Sequence, residues 1–284
     1  MSTQMMACKP LAQNQSAPCA HAYPNINVIG LPKAGSTALY ALLAAHPQIS
    51  PLHHNKEYCA RNWLNRMTDK RWCAEVSARC AMAKTPFVVN GCLSIKEHIE
   101  MARWLKPKGS KFIVAIRNPA DWLWSWWNYF LDENDSCTGG ADARACTPAS
   151  SHVSESTFRS ASYFHELVAS NGKLKNSDKY TENGIIRAMQ ISNLVEFKKL
   201  VGTQLIVVNT ETMYSTDTLK VLAGHLLIDS RGFETAANTH PNSNKNERKQ
   251  PMLNVTRQLL CARARPACQI VAKDLQVSLG CECE

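Results

Sequence analysis

Asn27-Val28-Ile29-Gly30-Leu31-Pro32-Lys33-Ala34-Gly35-Ser36-Thr37 runs a short apolar segment into a glycine-bounded loop, and the loop into STALYALLAAH over residues 36–46. That last segment is rich in helix formers with a broad apolar face, and His46-Pro47 stops it. Strand, tight loop and helix in this order place consecutive backbone N–H groups and a helix N-terminus where they attract a phosphate. Working outward, KFIVAI over 111–116 is apolar almost throughout, as a buried parallel strand requires. Pro119 then opens a helix to about residue 131, at a first turn where no donor is lost. QLIVV at 204–208 is another buried-type strand, and helices are expected near 36–46, 72–82, 95–105, 158–170, 184–201, 216–228 and 252–279. Residues 132–157 read as a polar insertion loop, and 231–250 as a polar, basic surface loop. Strands separated by helices predict an α/β fold, a P-loop-like parallel sheet flanked by helices on both faces. With no internal repeat and no second core, residues 25–284 are expected to form a single domain behind a flexible lead-in over 1–24.

The 284 residues carry 32 Lys+Arg against 23 Asp+Glu, a net charge of +9, with 45% hydrophobic and 19% charged residues. This composition excludes general disorder, a collagen and a coiled coil, and no apolar run is long enough for a membrane channel. The positive balance suits an anionic partner. No zinc-finger, helix-turn-helix or RRM pattern points to nucleic acid. The twelve cysteines include no C-x-x-C pair, so a structural zinc site is not expected. Their even number suits disulfides in an oxidising compartment or free, partly buried thiols. The start has no apolar signal-peptide core, which favours the cytoplasm over the Golgi lumen and leaves the compartment open.

A Walker A loop would read G-x-x-x-x-G-K-[ST]. Gly30 and Gly35 have that spacing, but Ser36 stands at the lysine position and the lysine has moved inside the loop, to Lys33. The strand at 111–116 ends in Arg117-Asn118-Pro119, where a magnesium-dependent NTPase needs an acidic ligand. The residues thus describe a loop that cradles a phosphate-like group with a lysine and no metal.

Gly30-Leu-Pro-Lys33-Ala34-Gly35-Ser36-Thr37 resembles the 5′-phosphosulfate loop of sulfotransferases that use 3′-phosphoadenylyl sulfate (PAPS). Ile113-Val-Ala-Ile-Arg117-Asn-Pro-Ala-Asp-Trp-Leu-Trp-Ser125 resembles their 3′-phosphate motif, in which a strand-end Arg and a Ser eight residues later grip the 3′-phosphate. The motifs follow in the family's order, about 80 residues apart, and the likeness is clear over residues 25–131. It implies a PAPS-dependent sulfotransferase acting on a hydroxyl or amine. In that reading Lys33, Ala34, Gly35, Ser36, Thr37, Arg117 and Ser125 bind the donor, and no metal is needed.

Within the family the chain is most similar to the carbohydrate branch, such as the heparan sulfate sulfotransferases. Asn55-Lys56-Glu57-Tyr58 matches a Lys-Glu pair that follows the first helix there, which implies Glu57 as the general base. His53 and His54 are rival bases, with the better-matched solution pKa. Ala83-Lys84-Thr85-Pro86 matches a Glu-Lys-Ser/Thr-Pro turn except at the Glu, which implies a role for Lys84 beside the reacting centre. The missing carboxylate alters the acceptor side, so the resemblance does not fix a glycosaminoglycan as substrate. Asn244-Lys245-Asn246-Glu247-Arg248-Lys249 corresponds to a late basic loop over the 3′-phosphate, with Lys245, Arg248 and Lys249 as candidates. Trp122, Trp124, Trp126 and Trp127 cannot all face one way on a helix, so some are core and at least one is expected to line the cleft. The rival classes are a metal-dependent kinase with a degenerate loop and a non-catalytic nucleotide-binding module.

Overall fold

In the computed structural model, the residues described are 25–31, 33–52, 87–93, 99, 102–103, 105–136, 160–174, 177–237 and 251–281. Their elements are strands β1 (Ile26–Ile29), β2 (Ile49–Pro51), β3 (Phe87–Leu93), β4 (Lys111–Ile116) and β5 (Leu205–Asn209). The helices are α1 (Ser36–Ala44), α2 (Pro119–Ser136), α3 (Ala161–Ala169), α4 (Glu182–Ala188), α5 (Ile191–Val201), α6 (Thr216–Leu226), α7 (Gly232–Ala237) and α8 (Asn254–Ile270). The chain packs as two compact units, one within residues 1–116 and 193–243, the other within 117–192 and 244–284.

The first unit holds a five-stranded sheet of order β2-β3-β1-β4-β5, with every pair parallel. Successive side chains of a strand face opposite ways, so each strand feeds two cores. Val28, Ile113, Ala115, Ile206 and Val208 pack with Leu39, Leu43, Leu222 and Phe233 from α1, α6 and α7. Phe112, on the opposite face, meets Phe197 of α5 edge-on at 5.3 Å. Helices on both faces explain why β1 and β4 carry almost no polar residue. The end of α1 is fixed by His46, buried to 1% exposure, whose Nε2 donates to the Asp229 carbonyl while Nδ1 accepts from Gln48 N–H.

The second unit centres on Phe164 of α3, fully buried against Trp124, Trp127 and Tyr180. Arg263 of α8 donates to the Val168 and Tyr180 carbonyls, tying α8 to the ends of α3 and of the turn before α4. A disulfide joins Cys268 of α8 to Cys281, with Cα atoms 6.3 Å apart.

Several expectations need correction. The polar 132–157 segment is not loop from its start, because α2 continues to Ser136. Residues 232–237 are helical rather than surface loop. The helix expected over 184–201 is two, α4 and α5, broken where Gln190 adopts φ +52°. The one expected over 252–279 stops as α8 at Ile270, and the chain runs on through a π turn over Val271–Leu275.

Candidate functional site

The sheet order reverses direction between β1 and β4: β2 and β3 lie to one side of β1, while β4 and β5 lie to the other. The carboxyl ends of strands flanking such a switch point are where open α/β sheets bind ligands. The loop 30–35 leaves β1 there, and β4 ends there at Ile116, immediately before Arg117.

In the first unit, two residues of the loop hold a left-handed backbone. Lys33 adopts φ +60° and Gly35 φ +86°. A lysine in the left-handed region is uncommon and costs energy, so the surrounding fold imposes it. Gly35 is the N-cap of α1 and offers no side chain to cap the first N–H groups of the helix. No acidic residue stands in the first turn of α1 to oppose a bound anion. Ser36 is buried, Thr37 is exposed and Lys33 lies between. Thr210, the residue after β5, packs beneath this turn. Its hydroxyl lies 2.5 Å from the Ala34 carbonyl oxygen and 2.8 Å from that of Ile116, and its backbone N–H donates to Ile116 O at 2.8 Å. A Cβ added at Gly35 would stand 2.6 Å from Thr210 Cγ2, so glycine is required for space as well as for φ.

In the second unit, Arg117 and Ser125 are half-buried and Asn118 is 3% exposed. Asn118 caps α2, accepting from Ala120 N–H at 2.9 Å through Oδ1. Its Nδ2 donates to the Gly280 carbonyl at 2.9 Å and to that of Leu279 at 3.3 Å. Asp121, one helical turn before Ser125, is neutralised by Arg257 of α8 through paired hydrogen bonds of 2.7 and 2.8 Å. That pairing removes an uncompensated negative charge from the face on which Ser125 stands.

Of the four tryptophans, Trp122 and Trp127 are core at 1% and 7% exposure, as the spacing required for some of them. Trp124 and Trp126 are half-buried, and Lys179 Nζ lies 6.0 Å from the Trp126 ring centroid. Burial pushes the Lys179 ammonium below its ordinary pKa, against the opposing pull of Asp178. Burial also raises the pKa of the Tyr180 phenol, with Tyr163 and Asp178 adding to it.

The structure thus places Lys33, Ala34, Gly35, Ser36 and Thr37 on one turn, and Arg117 and Ser125 around the start of α2. Glu57, His53, His54, Lys84, Lys245, Arg248 and Lys249 lie outside the described residues. The sequence reading gave no role to Thr210 or Asn118, although both stand at the carboxyl end of a buried strand, the position that should have drawn attention to them. Among the described residues no group of acidic, His and Cys side chains is arranged to hold a metal ion, and no helix is long and apolar enough to cross a membrane.

The sulfotransferase domain matches residues 24–176, more than half of the chain and both motifs. The chain belongs to the sulfotransferase family. Its fold is similar to that of a solved sulfotransferase from Alicyclobacillus acidocaldarius, with a TM-score of 0.52 at 15% identity, over 91% of this chain and 98% of that one. No curated protein sequence matches. The expected α/β fold is therefore the fold of this sulfotransferase, and the family's reaction, transfer of a sulfuryl group, replaces the kinase alternative.

Proposed function

We propose that this sulfotransferase takes its sulfuryl group from PAPS and delivers it to a hydroxyl or amine of an acceptor, a carbohydrate or a small molecule. The observation that carries the reading is the left-handed Lys33–Gly35 turn at the N-terminus of α1, whose N-cap is a glycine, at the sheet's switch point. Backbone N–H groups of residues 34–37 and the Ser36 and Thr37 hydroxyls hold the 5′-phosphosulfate. Arg117 and Ser125 hold the 3′-phosphate, and Lys245, Arg248 and Lys249 close over it. The donor supplies a sulfur whose leaving group is the nucleotide phosphate. Lys33 stabilises the charge that grows on the bridging oxygen as that bond breaks. A sulfuryl group carries less charge than a phosphoryl group, so the ammonium suffices without a metal. Glu57 takes the acceptor proton, with His53 and His54 as rivals, and Lys84 stands on the acceptor side.

The fit of the chain to this donor rests on its two cationic motifs. Arg117 makes no hydrogen bond or ion pair with another described residue, which leaves its guanidinium available for a phosphate. The deciding experiment is a thermal-shift series with adenosine 3′,5′-bisphosphate, AMP and ATP, each with and without magnesium, followed by labelled donor against an acceptor panel. The bisphosphate should stabilise most, independently of magnesium, and label should pass to a hydroxyl or amine of a saccharide or small-molecule acceptor. Binding of the bisphosphate with no transfer to any acceptor would favour a nucleotide-binding module instead.

A further inference from the structure

We infer that Thr210 is a positioning residue for the donor loop: its hydroxyl turns the Ala34–Gly35 peptide so that the Gly35 N–H serves the 5′-phosphosulfate. This rests on the donor reading above and adds a residue that neither motif contains.

Three observations carry it. The Thr210 backbone N–H already serves the Ile116 carbonyl at 2.8 Å. The single hydroxyl proton is therefore better placed on Ala34 O, the closer of its two acceptors at 2.5 Å. Ala34 O also needs that partner, because the ladder of α1 starts one residue later, with Leu39 N–H on Gly35 O. Finally, the peptide between Ala34 and Gly35 is trans, so its C=O and N–H point in opposite directions. Fixing the carbonyl towards Thr210 fixes the Gly35 N–H away from it. Glycine at 35 alone leaves that plane free to rotate, since φ > 0 and φ < 0 are both open to it. The Thr210 methyl, 2.6 Å from where a Gly35 Cβ would stand, closes the turn from below. Because the same hydroxyl lies 2.8 Å from Ile116 O, the loop is referenced to the end of β4, the strand that leads into Arg117.

The test separates the two ends of the donor. Adenosine 3′,5′-bisphosphate and adenosine 3′-monophosphate differ only in the 5′-phosphate that the loop is assigned, and both are titrated calorimetrically. Wild type should bind the bisphosphate more tightly. Thr210→Val, which keeps the shape and removes the hydroxyl, should lose roughly tenfold on the bisphosphate and less than about twofold on the monophosphate. Thr210→Ser should restore the wild-type difference. If Thr210→Val does not fold, Thr210→Ala is read in the same way. A variant that loses the same factor on both ligands, or nothing on either, overturns the positioning role. Wild type that binds both ligands equally overturns the donor reading itself, and the role of Thr210 with it.

Discussion

The side-chain amide of Asn118 donates to the Gly280 carbonyl at 2.9 Å, joining two residues 162 positions apart. Gly280 precedes Cys281, whose disulfide to Cys268 anchors it to α8. The carboxyl-terminal segment thus holds the turn that follows Arg117 and caps α2. Asn118→Asp keeps the cap on Ala120 N–H but turns an oxygen towards the Leu279 and Gly280 carbonyls. It should destabilise the protein by about 1–3 kcal/mol, the cost of unsatisfied buried groups. Urea unfolding measures this, and an unchanged midpoint would show that the tail does not hold Asn118. Cys281→Ser should lower stability too, since a loop of this length gives about 3 kcal/mol in the chain-entropy model.

Gly35 and Thr210 make a second pair with an opposite requirement. Gly35→Ala meets both a φ of +86° and the Thr210 Cγ2 contact, so it should cost about 2 kcal/mol or more and abolish turnover. Thr210→Ser deletes the clashing methyl while keeping the hydroxyl. Adding it to Gly35→Ala should recover part of the stability and leave the φ cost in place. A double-mutant cycle by thermal melts tests this; strictly additive effects would show that the contact is not the cause.

How much of this was legible follows from range along the chain. The segments β1, α1, β4, the start of α2, and β5 lie within one or two residues of their expected limits, because buried parallel strands are apolar runs and Pro119 marks a helix start. The strand β3 was not foreseen: Asn90-Gly91 interrupts Phe87–Leu93. Neither was β2, three residues ending in Pro51, whose pairing with β3 comes from the sheet rather than its own composition. Lys33 and Gly35 were readable from spacing. The positive φ of Lys33 was not, because nothing local favours a lysine there. Asn118 and Thr210 stand at strand ends, a position the sequence shows, but their roles were not legible, because their partners lie 161 and 176 residues away.

Arg117 should discriminate between nucleotides. A charge-assisted hydrogen bond to phosphate contributes about 1.5–3 kcal/mol, so Arg117→Ala should weaken bisphosphate binding roughly tenfold or more. AMP lacks the 3′-phosphate, and its binding should barely change. Equal losses on the two ligands would remove Arg117 from the 3′-phosphate site.

Lys33 should separate binding from chemistry. If its contact strengthens as the bridging oxygen gains charge, Lys33→Ala lowers kcat much more than it weakens bisphosphate binding. Lys33→Arg should recover only part of the rate, because a planar guanidinium does not replace a compact ammonium. Lys33→Gly should be as inactive as the alanine variant yet at least as stable as it, since glycine removes the cost of φ +60°. Near-normal turnover in Lys33→Ala would exclude the catalytic role.

The proton acceptor is decided by ranking three residues. Acceptor hydroxyls ionise far above neutrality, so a base beside the attacking oxygen contributes typically about 10²–10⁴-fold. Glu57→Gln keeps the side chain's shape and removes its basicity. It should abolish most turnover with bisphosphate affinity unchanged, which separates lost chemistry from lost binding. Changing His53 and His54 together to Asn should have the smaller effect. The pH profile gives an independent check: a carboxylate base leaves kcat flat from neutrality down towards the carboxylate range, whereas an imidazole base makes it fall through about pH 6.5. The opposite ranking, with that fall, would move the base to a histidine. Little change in any variant would point to an amine acceptor, which attacks from its free base and needs no protein group to remove a proton first.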